Sequence, residues 1–171
     1  QPDEDLFIEY FNRHPEVKLI IAPHVIDENH LVEIIRKLKR PYVRYTRADE
    51  KNVRKADCLI IDCFGLLSSI YRYGEIAYIG GGFGVGIHNT LEAAVYGIPV
   101  IFGPKYQKFQ EAILLLEAKG AFSVKDYEEL KTLLDRMLTD EVFLRESGMN
   151  ASNYVTGNAG ATDKIMSMIN F

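Results

Sequence analysis

The sequence predicts an α/β fold: a doubly wound, Rossmann-like parallel sheet. Three observations carry this. Short apolar runs alternate with segments whose apolar residues recur at helical spacing. Several of those runs are continuously apolar, as in parallel strands covered on both faces, rather than alternating. The fourth run, Ile76-Ala77-Tyr78-Ile79, then leads straight into five glycines within residues 80–86 and on into another helical pattern.

Residues 3–14 read as a helix stopped by His14-Pro15, and 17–22 as the first strand, closed by Pro23. Asp27 is placed to cap a helix over 28–39, with Leu31, Ile34, Ile35 and Leu38 on one face and Pro41 after it. Residues 42–45 form a second strand, a polar stretch follows, and 57–62 form a third. A helix over 66–73 ends near Gly74, and the fourth strand enters the glycine loop. The next helix spans 89–97 with Gly97 just past its end, and 98–102 is a fifth strand turned by Gly103-Pro104. A helix over 108–119, a sixth strand over 121–124, a helix begun by Asp126, and helices over 140–155 and 161–170 complete the chain. The expected division is one nucleotide-binding domain over 1–157 and a helical tail over 158–171.

Charged residues are 26% of the chain, hydrophobic ones 47%, and the net charge is −4, so no basic face argues for nucleic acid. No apolar run reaches the ~18–20 residues needed to span a bilayer. Cys58 and Cys63 lie five apart with side chains on opposite faces, which fits free thiols in a reducing cytosol. Gln1 opens directly onto a helical pattern, which reads as a piece of something longer. Asp3-Glu4-Asp5 reads as a solvated helix start with no cation site, and His14, His30 and the cysteines as structural or surface residues. Tyr71, Tyr73 and Tyr78 are assigned to packing.

In a doubly wound sheet, ligands bind outside the carboxyl ends of the strands. Four ends carry unusual residues: Pro23-His24, the segment 62–67, the glycine loop with Asn89 and Glu92, and Gly103-Pro104-Lys105. The glycines fit neither the dinucleotide fingerprint, which follows a first strand, nor a P-loop, since no Gly-Lys-Ser/Thr follows. They suggest a phosphate cradle late in the sheet, where Gly81, Gly82 and the helix start offer amides to an anion and Glu92 accepts from ribose hydroxyls. Asn89 and Glu92 equally fit a helix cap and a first-turn acid, His88 a loop cap, and Lys105 a solvated lysine.

The segments Ile21-Ala22-Pro23, Asp62-Cys63-Phe64-Gly65-Leu66-Leu67, Ile79-Gly80-Gly81, Gly86-Ile87-His88-Asn89-Thr90-Leu91-Glu92, Val100-Ile101-Phe102-Gly103-Pro104 and Asn158-Ala159-Gly160-Ala161 resemble, in order, the C-terminal half of the bacterial 3-deoxy-D-manno-octulosonic acid (Kdo) transferases. His88-Asn89-x-Leu91-Glu92 and the Phe102-Gly103-Pro104 turn are its most specific parts.

The resemblance implies a GT-B glycosyltransferase of lipopolysaccharide biosynthesis, with this chain as its donor half. CMP-Kdo would be held by Pro23 and His24, by Gly65, Leu66 and Leu67, and by Asn89, Thr90, Leu91 and Glu92. Lys105 could reach the sugar carboxylate. The acceptor, a lipid A precursor, would belong to an N-terminal half. That half would also bring the catalytic base and the attachment to the cytoplasmic face of the inner membrane, so this chain alone should not turn over. No metal or other cofactor is expected. His24 stands where the family usually has arginine, Leu66 where it has glutamate, and Ala93 where it has proline. The competing readings are a UDP-sugar GT-B transferase or epimerase, and a non-catalytic nucleotide-binding module.

Overall fold

The computed structural model describes residues 2–158. Its elements follow the expected order: α1 (Pro2–Arg13), β1 (Leu19–Ile21), α2 (Glu28–Lys37), β2 (Tyr42–Arg44), α3 (Glu50–Val53), β3 (Cys58–Ile60), α4 (Leu67–Ile70), β4 (Ala77–Ile79), α5 (Leu91–Ala94), β5 (Val100–Phe102), α6 (Gln110–Glu117), β6 (Ala121–Ser123), α7 (Tyr127–Thr139) and α8 (Glu141–Asn158). Every strand pairing is parallel, in two three-stranded ladders ordered β1-β3-β2 and β4-β5-β6.

The central strand β5 shows why its run is apolar throughout. Val100 and Phe102 face one core with Ala93, Ala94, Leu115 and Ala151, while Ile101 faces another with Leu130 and Met137. Helices therefore cover both sides of this ladder. In the other ladder Ile21, Cys58 and Ile60 pack on α1 and α2 through Ile8, Phe11, Leu31 and Ile34. Burial pushes the Cys58 thiol up to about 12. It is an apolar packing group, and both cysteines are free.

Capping explains the helix starts. Asp27 accepts from the amides of Asn29 and His30, Asp49 and Asn52 form a reciprocal capping box on α3, and Asp126 accepts from Glu129. The stretch read only as polar thus holds a 3₁₀ turn over Tyr45–Arg47 and the short α3. The helix expected over 66–73 divides into α4 and a 3₁₀ turn, Tyr71–Tyr73.

The helix expected over 89–97 is a single turn. Tyr96 and Gly97 donate to the carbonyls of Ala93 and Ala94, three residues back, which tightens the chain out of α geometry. Gly97, at φ +71°, then lies against α8, where a Cβ on Gly148 would come within 2.2 Å of the Gly97 carbonyl oxygen. α8 is long enough to run past the expected boundary at 157/158. The helix expected over 161–170, and with it the tail from residue 159 on, lies outside the described residues.

The acidic start of α1 corrects its reading as solvated. Asp3 is 4% exposed and Glu4 8%. Asp3 accepts from the Tyr78 hydroxyl at 3.2 Å and from the Phe83 amide at 3.4 Å. Glu4 lies 2.8 Å from His30 Nε2, so His30 is a buried pairing residue, not a surface one. Asp5 alone is out at the surface, 2.6 Å from Lys37. Tyr71 and Tyr78 pack as expected, whereas Tyr73 is 73% exposed. No helix among the described residues is long and apolar enough to cross a membrane.

Candidate functional site

The loop after β1 and the loop after β4 meet at the carboxyl rim. The rings of His24 and His88 stack with centroids 4.5 Å apart and an interplanar angle of 23°. Pro23 is buried beneath, while both histidines reach solvent. Partial burial, then the nearby His24, hold the His88 imidazole below its ordinary range, with the Asp3 carboxylate acting the other way.

The glycine loop folds on itself. Gly84 and Gly86 donate to the Gly81 carbonyl, and His88 donates to Gly80. Gly81 takes φ +93°, and a Cβ there would fall 2.3 Å from the Gly86 oxygen. Gly82 is buried against Gly103, whose Cα and N would both lie 2.5 Å from an added Cβ. The amides of Gly84, Gly86 and His88 are thus spent on holding the loop's shape, and Gly82 is held there by close packing. Thr90, Glu92 and Ala93, in the first turn of α5, keep amides without an acceptor among the described residues.

Asn89 both caps and braces this turn. Its Oδ1 accepts from the Leu91 amide at 3.0 Å, and its Nδ2 donates to Glu92 Oε1 at 3.0 Å. The Glu92 carboxylate is thereby oriented at the rim, with its second oxygen left to accept elsewhere. Thr90 is 1% exposed and its buried Oγ1 has no partner among the described residues, so this residue lies beneath the rim, not on it. Leu91 sits at the surface, 36% exposed. Lys105 Nζ donates to the Gly84 carbonyl at 2.6 Å, and its amide to Gly82, so this lysine ties the loop after β5 to the glycine loop.

The loop after β3 contributes Gly65 at φ +88°, followed by half-buried Leu66 and by Leu67, 46% exposed. Phe64 stands out at 83% exposed. Nothing places this segment against His88 or Glu92 directly; β3 pairing beside β1 puts it next to the His24 loop.

A residue not singled out from the sequence anchors that loop. The Asp62 side chain is 1% exposed and accepts from Arg44 Nε at 2.8 Å, from the Thr46 amide at 2.9 Å and from the Thr46 hydroxyl at 2.6 Å. Burial alone would raise this carboxyl, but the Thr46 and Arg44 donors outweigh it and hold it at about 2, against 3.8 when unfolded. Its stabilisation is complete above pH 3.8 and lost as pH falls toward 2; it amounts to about 2 kcal/mol. Acid unfolding followed by circular dichroism should therefore show Asp62→Asn losing stability at pH 6 and converging with the parent near pH 2.

Among the described residues there is no group of three His, Cys, Asp or Glu side chains that could hold a metal ion. Grooves of about 650 Å³ along β6 and α7, and of about 420 Å³ around the start of β1 and β3, include neither histidine of the rim nor Asn89 and Glu92.

No protein-family model matches the chain. It is 36% identical over 135 residues to the 3-deoxy-D-manno-octulosonic acid transferase of Aquifex aeolicus, covering 78% of this chain and 37% of that protein. It is 29% identical over 170 residues to the enzyme of the same name from Rickettsia felis, covering 96% and 34%. The chain thus spans little more than a third of the length of these relatives. Its fold matches the C-terminal CMP-Kdo binding domain of WaaA from Acinetobacter baumannii with a TM-score of 0.76 at 19% identity, over 90% of this chain and 83% of that one. Sequence similarity along most of its length, with this shared architecture, means that the chain belongs to the Kdo transferase family and has the fold of its GT-B-type C-terminal domain.

Proposed function

We propose that this domain holds CMP-Kdo at its carboxyl rim as the donor of an inverting transfer of Kdo to a lipid A precursor. The observation that carries the reading is the meeting of the loops after β1 and β4, which brings His24 and His88 together at the rim where α5 begins with the oriented Glu92. A nucleoside monophosphate needs such a combination: donors for its phosphate and a carboxylate for ribose hydroxyls. The CMP-Kdo named for the Acinetobacter domain supports cytidine as the base.

In this reading the chain's own groups bind and orient. The Glu92 amide at the start of α5 and the imidazoles favour the charge that gathers on the phosphate as its bond to the anomeric carbon breaks. Pro23 and the segment Gly65, Leu66 and Leu67 wall the nucleoside, and Lys105 fixes the glycine loop beside the sugar. The acceptor hydroxyl attacks from the opposite side, with its proton taken by a base in a facing N-terminal domain. CMP leaves as the phosphate oxygen takes the electron pair of the broken bond, without a metal ion, and the longer protein works at the cytoplasmic face of the inner membrane, where its lipid acceptor lies.

Isothermal titration of this chain with CMP and with UDP tests the reading. Saturable binding of CMP in preference to UDP is expected; preference for UDP, or no nucleotide binding, overturns it. Glu92→Ala should weaken CMP binding by about 1–3 kcal/mol, the loss of a charged hydrogen bond, with the circular dichroism spectrum unchanged.

A further inference from the structure

Two imidazoles stacked at 4.5 Å form an unusual feature for a surface rim. Neither ring is hydrogen-bonded to a carboxylate or carbonyl among the described residues, in contrast to His30, which is paired with Glu4, and His14, which is 3.0 Å from Glu16. Like charges this close oppose one another, so the empty pair resists holding two protons. An anion placed against both rings removes that opposition.

We propose that His24 and His88 act as one proton-accepting unit whose protonation accompanies binding of the nucleotide phosphate, so that the donor is taken up together with a proton from solvent. This deepens the donor-binding reading and rests on it. The charged groups facing the pair are few. Asp3 approaches from α1 and is held by Tyr78 and Phe83. Lys105 comes from the loop after β5 and is held on Gly84. Glu92 on α5 is engaged by Asn89. On α2, whose cap Asp27 follows the His24 loop, His30 is turned to Glu4. Each has a hydrogen-bond partner elsewhere, and among them the Asp3 carboxylate still favours the charged form of His88.

The sign follows from linkage. Binding that raises the proton affinity of the pair is tightest at low pH and weakens as pH rises through the range of the bound pair. CMP itself has a second phosphate proton that titrates near pH 6 and would blur the effect. Its methyl ester, like the phosphodiester of the donor, keeps a single fixed negative charge on the phosphate.

Titration calorimetry of the unaltered chain with cytidine 5′-monophosphate methyl ester, at pH 7 in two buffers of different ionisation heat, should show net proton uptake. The affinity should fall by about tenfold between pH 6 and pH 8. His24→Gln and His88→Gln should each flatten this profile, since either leaves an imidazole without its stacked neighbour. Ester binding with no proton uptake and a flat pH profile overturns the inference while leaving the donor-binding reading intact. Failure of CMP and its ester to bind at any pH overturns both.

Discussion

Gly148→Ala is expected to lower stability by about 3 kcal/mol or more, reading as a fall of roughly 10 °C in a thermal unfolding curve. The added Cβ would sit 2.2 Å from the Gly97 carbonyl oxygen and 3.1 Å from its carbon. Both are backbone atoms, so no side chain can swing aside. α8 would have to lift from the turn between α5 and β5, and that opens the core that Ala151 shares with Ala93, Ala94 and Ile98. Gly157→Ala supplies the control on the same helix. Nothing lies within 4 Å of its Cβ, so removal of a helical glycine should leave stability unchanged or raise it by up to about 1 kcal/mol. Equal melting temperatures for the two variants would contradict the packing described.

Gly82→Ala is the second large effect, and it joins stability to ligand binding. Its Cβ would enter the Gly103 backbone, with N and Cα each 2.5 Å away. The turn after β5 and the glycine loop must then separate. That strains the bond from the Lys105 amide to the Gly82 carbonyl and the hold of Lys105 Nζ on Gly84. A loss of several kcal/mol in unfolding free energy is expected, together with loss of CMP binding at concentrations that saturate the parent. Glu92→Ala, by comparison, should weaken binding without moving the melting temperature, so the pair of variants separates loop architecture from direct contact.

The strand order of the molecule could be read from hydrophobic runs because parallel strands are short, buried and bounded by glycine and proline. Val100-Ile101-Phe102 shows this: with helices on both faces, all three positions are buried, and the apolar run is unbroken. The strand ends of the candidate site were legible too, since Pro23-His24, Gly65 and the segment 88–92 follow β1, β3 and β4 as expected. What escaped reading was polar burial. Asp3 lies four residues before Phe7, and Glu4 four before Ile8, on the helical stripe that faces the core. That register was the available signal, but an acidic first turn also satisfies the helix dipole, and the two explanations leave the same letters. Asp62 was likewise read as part of a strand end at the rim with no role of its own, because its partners Arg44 and Thr46 come from a neighbouring strand end eighteen and sixteen residues earlier. The internal bonds of the glycine loop were not legible either: glycines that allow an anion close also allow a carbonyl close, and here Gly81 accepts from Gly84 and Gly86.

The seating of α8 on Gly97 and Gly120 has a consequence for how the molecule comes into being. Backbone atoms of Ala151 lie where a Cβ on Gly120 would be, at 2.6 Å, and Ala151 completes the floor beneath Ala93 and Ala94. On a ribosome, the turn bearing Asn89 and Glu92 emerges some sixty residues before its support. The nascent chain can therefore pair its strands early, yet the corner that carries Asn89 and Glu92 stays unfinished until α8 has cleared the exit tunnel.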